Sequence, residues 1–180
     1  MRSRLSLTAL TLMAGLVVAP AASFAQASDQ GSGEVTKVLA SGGAGFNTAA
    51  VESLLKRGDA AAAAWNLTEA RKYYDDARSA SKQLLAFYRD LSGAFRGLDA
   101  RIPREMDAKG RSALALLAQA NLRLAALFRR QNQPEVAVPV LVEVVRLMTP
   151  SQPEGQKAYQ SLLELGFVET PFAGAKAGTN

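Results

Sequence analysis

From residue 47 onward the apolar positions recur at steps of three and four, the period of one helix face, and β-branched residues gather only at 136–145. Asn47 or Thr48 can cap a first helix that carries Val51, Leu54 and Leu55 into the alanines at 60–64, with Gly58 weakening its middle. Asn66, with Glu69 three residues on, reads as a second start of the capping-box kind, after which Ala70, Tyr73, Tyr74 and Ala77 line one face. A third segment over 81–95 holds Leu84, Leu85, Phe87, Tyr88, Leu91 and Phe95, of which Phe87 and Phe95 are expected in the core of a helical hairpin. Pro103 favours extended backbone at Ile102, so the stretch RGLDARIPRE is read as a loop.

A fourth helix is predicted over about 105–130, with Ala113, Leu117, Ala120, Leu124, Leu127 and Phe128 on its core face. A fifth, over about 135–148, turns Val136, Val140, Leu141, Val144 and Leu147 inward, and a sixth over about 153–165 is stopped by Gly166. Pro139 falls inside the fifth, where a proline removes a backbone hydrogen bond. A helix start near Glu135 puts that proline about one turn in. A short strand through 136–145 is the competing reading, and Pro139 opposes it. The expected fold is all-α, an array of about six antiparallel amphipathic helices over residues 47–168.

The two ends follow other patterns. Arg2 and Arg4 precede an apolar run over 5–19, and Ala25-Gln26-Ala27 offers a small-x-small cleavage site, so residues 1–27 are read as a signal peptide. A membrane-spanning helix needs about 20 apolar residues, more than this run supplies. Residues 28–46 are rich in Gly and Ser and read as a flexible linker, and 169–180 as a disordered tail. The chain is expected to be exported, to a periplasmic, lumenal or secreted location. Its SGGAG run lacks the Gly-Lys-Ser/Thr of a phosphate-binding loop and continues into Phe46-Asn47.

Composition narrows the chemistry. The whole chain has net charge +5; losing residues 1–27 takes away Arg2 and Arg4 and no acid, leaving 19 basic against 16 acidic residues, or +3. That mild excess does not suggest nucleic-acid binding. With no cysteine there are no disulfides, and with no histidine the commonest general base and transition-metal ligand are both missing. No Gly-x-Ser-x-Gly elbow, His-dependent triad or metal-ligand spacing occurs. Asp75 and Asp76 diverge by about 100° on a helix and cannot share a substrate. Glu105 and Asp107 suit a first-turn role against the helix dipole. No catalytic residue, cofactor or metal is assigned, and the chain is read as non-enzymatic.

Leu124-Ala125, Phe128, Asn132, Ala137, Leu141, Val144 and Leu147 together resemble a tetratricopeptide repeat (TPR), a 34-residue helix-turn-helix unit. Asn132 stands where that family usually has glycine, Val144 where it has alanine, and Pro150 comes one residue late. WNLTEARKYYDDA resembles the second half of another unit, with Ala70, Tyr74 and Ala77 in the small, aromatic and small places. Ala70 and Ala137 are 67 residues apart, close to two periods, although the middle unit's small residue would fall at 102–104, in the proline loop. The resemblance implies helical hairpins whose Tyr74 packs into a facing helix while Tyr73 emerges on a groove.

The functional expectation is therefore a TPR-like protein-interaction module, a scaffold or adaptor with a protein partner. Its alternatives are a small helical carrier of an apolar or lipid ligand, or a protein docking to anionic membrane through a basic loop. Arg101, Arg104 and Arg111 are the candidates in that loop, where Arg96 and Lys109 add charge. Trp65, at a helix junction, and Tyr73 are the candidate aromatic binding residues.

Overall fold

The computed structural model describes residues 45–174. The expected signal peptide, residues 28–44 of the linker and residues 175–180 of the tail lie outside them. The described residues form five helices: α1 (Thr48–Ala63), α2 (Leu67–Ala94), α3 (Arg101–Arg130), α4 (Pro134–Met148) and α5 (Pro153–Glu164). There is no strand among the described residues, so the 136–145 stretch is helical.

Five helices stand where six were expected, because the second and third predicted segments are one helix. Nothing between Ala77 and Ser81 breaks it, and the buried Ser81 hydroxyl donates to the Ala77 carbonyl at 2.8 Å instead of capping a new start. The proline loop is also shorter than expected. α3 begins at Arg101, so Ile102 is helical and Pro103 is in the first turn, where a helix has no carbonyl waiting for its N–H. Asp99 supplies the missing cap, accepting from the Arg101 backbone N–H at 2.8 Å. α4 opens with Pro134 at its first position and runs through Pro139. Asn47 caps α1 by accepting from Ala50 N–H at 2.8 Å. Asn66 caps α2 through Glu69 N–H at 3.3 Å, while Glu69 accepts from the Asn66 side chain at 2.7 Å, a variant of the expected reciprocal box.

Each helix packs on its neighbours in the chain, and α1 and α5 also touch α3. α3 is thus the central element. Its predicted face of Ala113, Leu117, Ala120, Leu124, Leu127 and Phe128 is buried, joined by Leu116, Ala118 and Ala125 on other sides of the same helix. α1 and α2 run in opposite directions, as Asp59 meets Tyr74 while Phe46, before α1, meets Phe87 late in α2. Tyr74 lies in the core beside Gly58, where a Cβ would stand 2.4 Å from its ring. On α4 the buried stripe is Ala137, Leu141 and Val144, whereas Val136, about 100° round the helix from Ala137, is 38% exposed. Phe87 is 45% exposed, packed edge-on between Phe46 and Tyr88 and outside the core, and Phe95 is half-buried in the turn after α2.

α1, α3 and α5 end alike. Trp65, Asn132 and Gly166 have φ of 61°, 57° and 74°, and the next residue donates back across the turn: Asn66 to Ala61, Gln133 to Phe128, Phe167 to Leu162. This is the Schellman arrangement, and Asn132 holds the left-handed place that glycine usually takes. The 67 residues from Ala70 to Ala137 hold no extra hairpin; 28-residue α2 and 30-residue α3 take them up. α5 approaches the turn before it so closely that a Cβ on Gly155 would lie 1.8 Å from the Thr149 carbonyl oxygen.

Candidate functional site

The second half of α3 buries every side but one. That open side carries Gln119, Leu122, Arg123, Ala126, Arg129 and Arg130, three or four residues apart. α1 flanks it on one side and α5 on the other. Toward α5 lies a hollow of about 620 Å³, with Ala125, Ala126 and Leu141 among its apolar lining and Lys157, Gln160 and Glu164 among its polar lining. Toward α1 lies a smaller one of about 330 Å³, bordered by Asp59, Ala63, Tyr74 and Arg130. Arg123 and Ala126 line both, so the two hollows form one groove along α3.

Ion pairs hold the groove's side chains in place. Arg123 donates to both oxygens of Asp59 on α1, with contacts of 2.9, 3.1 and 3.2 Å. Asp59 Oδ1 also accepts from the Tyr74 hydroxyl at 2.8 Å. Burial, then the hydrogen bond to Asp59 and that carboxylate's charge, push the Tyr74 hydroxyl's pKa well above its ordinary value, against the opposing pull of Arg123 and Arg130. On the other wall Arg129 reaches Glu164 of α5 at 3.0 Å. Arg123 and Arg129 thus brace α3 against both flanking helices. Small Ala126 stays exposed between them as the floor.

Of the residues singled out in the sequence, Trp65 is 72% exposed at the α1 end, with the Arg130 guanidinium 4.6 Å from its ring centre. Arg130 lines the smaller hollow, so Trp65 borders the groove. Tyr73 lies elsewhere, between α1 and α2: Arg57 donates to its hydroxyl at 2.9 Å, and that hydroxyl donates to Glu69 at 3.0 Å. Arg101, Arg104 and Arg111 sit in the first three turns of α3 and not in a loop. Arg101 is held by Asp99 at 2.7 Å, and its hydrogen bonds keep the Asp99 carboxyl below its ordinary pKa. Arg104 is exposed, and Arg111 faces the arginines at the end of α2.

The sequence reading singled out none of Gln119, Arg123, Ala126, Arg129 and Arg130 as a binding residue. A polar-and-small stripe at 119, 123, 126 and 130, interrupting an otherwise apolar helix, was the available signal. Among the described residues no group of three or more acidic side chains could hold a metal, and no helix is long and apolar enough to cross a membrane. Against protein-family models, curated proteins and solved structures, the chain matches none.

Proposed function

We propose that the protein is an exported, non-enzymatic, TPR-like module that holds an extended segment of a partner protein in the groove along α3. The observation that carries this reading is the groove's build: an apolar floor at Ala126, ion-paired walls from α1 and α5, and side-chain amides at Gln119 and Gln160, without a hydrogen-bond partner among the described residues, able to meet a peptide backbone. A pre-formed groove spares a ligand the cost of ordering its site. The matching Schellman turns of α1, α3 and α5 support the repeat-like part, since Asn132 and Gly166 are 34 residues apart, the period of that family. The alternating helices α1, α3 and α5 would then present one concave face.

Peptides selected from a random library against the full chain test the proposal. Ala126→Phe fills the floor where both hollows meet, so selected peptides should bind this variant at least tenfold more weakly while its melting temperature is unchanged. Peptides that bind A126F as tightly as the parent would place recognition elsewhere and overturn the groove reading.

A further inference from the structure

The other end of α3 carries a second, chemically different feature. Arg89 and Ser92 on α2 and Arg96 in the turn after it follow one another at three and four residues. Across from them stand Asp107, Gly110 and Arg111 of α3. Together they line a hollow of about 250 Å³. Ser92 donates to Asp107 Oδ1 at 2.8 Å, pinning the helices at the hollow's inner side. Gly110 leaves room there: a Cβ would meet only Leu85 and Tyr88, at 3.9 Å.

Three arginines therefore line one small hollow with a single acidic residue, an excess of two positive charges. None of Arg89, Arg96 and Arg111 forms an ion pair among the described residues. Elsewhere Arg71, Arg78, Arg101, Arg123 and Arg129 each have an acid, while Arg57, Arg104, Arg130 and Arg146 have none among the described residues but are not gathered three to a hollow as these are. Like charges gathered without a counter-charge repel one another, and an oxyanion among them relieves that repulsion while accepting several N–H bonds. Guanidinium forks match the oxygens of a phosphate group in geometry as well as charge.

We propose that this hollow binds a phosphate group, presented either as the free ion or on a lipid headgroup. Arg89, Arg96 and Arg111 are its donors, and Asp107 limits its affinity while holding Ser92. Arg111 lies 8 residues, about 12 Å along α3, from Gln119 at the near end of the groove, and its hollow shares no lining residue with the groove, so the site is separate.

The test titrates the full chain with inorganic phosphate at constant ionic strength, reading the Nε–Hε signals of the arginines by NMR. Saturable shifts are expected at Arg89, Arg96 and Arg111. Each of Arg89→Gln, Arg96→Gln and Arg111→Gln should weaken binding roughly tenfold or more. Asp107→Asn should tighten it severalfold. Lys72→Gln, on α2 about 25 Å from Arg89, should leave it unchanged. Three single variants keep the test open if one fails to fold. In a second arm, co-sedimentation with phosphatidylglycerol vesicles, lost in the triple Gln variant, would identify a headgroup as the source. Phosphate binding without co-sedimentation would identify the free ion. Failure of both probes to bind, or equal weakening by Lys72→Gln and Arg111→Gln, would overturn the site in favour of diffuse surface charge.

Discussion

Tyr74 owes its place to a glycine. Alanine is the better helix former by about 1 kcal/mol, so Gly58 within α1 is locally unfavourable; it remains because the Tyr74 ring occupies the space its side chain would need. Gly58→Ala should therefore destabilise the fold by about 1–3 kcal/mol despite the gain in propensity, read from denaturant midpoints. The Tyr74 hydroxyl allows a second test. Its pKa is raised in the folded state, so its contribution is fully present below the unfolded value near 10 and is lost as pH rises above that. Tyr74→Phe should cost about 0.5–1.5 kcal/mol at pH 8 and should show a shallower decline between pH 9 and 11 than the parent. The caps at Asn47 and Asn66 were legible in sequence, because a cap bonds within three residues. The left-handed Trp65 was not, since bulky residues seldom take that conformation.

Elements were legible in type but not in number. Serine at 81 and proline at 103 both suggested boundaries, yet a serine hydroxyl can bond its own helix and a first-turn proline removes no bond. α4 shows a further limit. Eight of its residues are Val or Leu, so periodicity alone leaves its buried stripe ambiguous, and only packing selects Ala137, Leu141 and Val144. Isosteric substitutions distinguish the faces. Val144→Thr should cost about 1–3 kcal/mol by burying a hydroxyl, while Val142→Thr, at a position 42% exposed, should change stability by no more than about 0.5 kcal/mol. Thermal melts of the two variants check this, and equal losses would contradict the assigned face.

Across the whole molecule, Glu143 of α4 joins two elements that the central helix separates. It takes an ion pair from Arg78 and another from Lys82, at 3.0 Å, both on α2. Burial alone would raise its pKa, but the Lys82 hydrogen bond and the charge and hydrogen bond of Arg78 outweigh it, leaving the carboxyl below its ordinary value. A depressed carboxylate contributes stability that is present above the unfolded pKa, about 4.3, and is lost as pH falls through the folded one. Glu143→Gln should thus be less stable than the parent at pH 7 and should lose less on acidification from pH 5 to 3, measured by urea unfolding at each pH. Helical class, most helix limits and the face of α3 were set by the sequence itself, because a helix bonds residue i to i−4 and its pattern is written within a few turns. The groove and the arginine hollow were decided by tertiary structure alone. Asp59 and Arg123 are 64 residues apart, and Arg89 meets Arg111 only because α2 and α3 pack against each other there, a contact made between helices that no local spacing records.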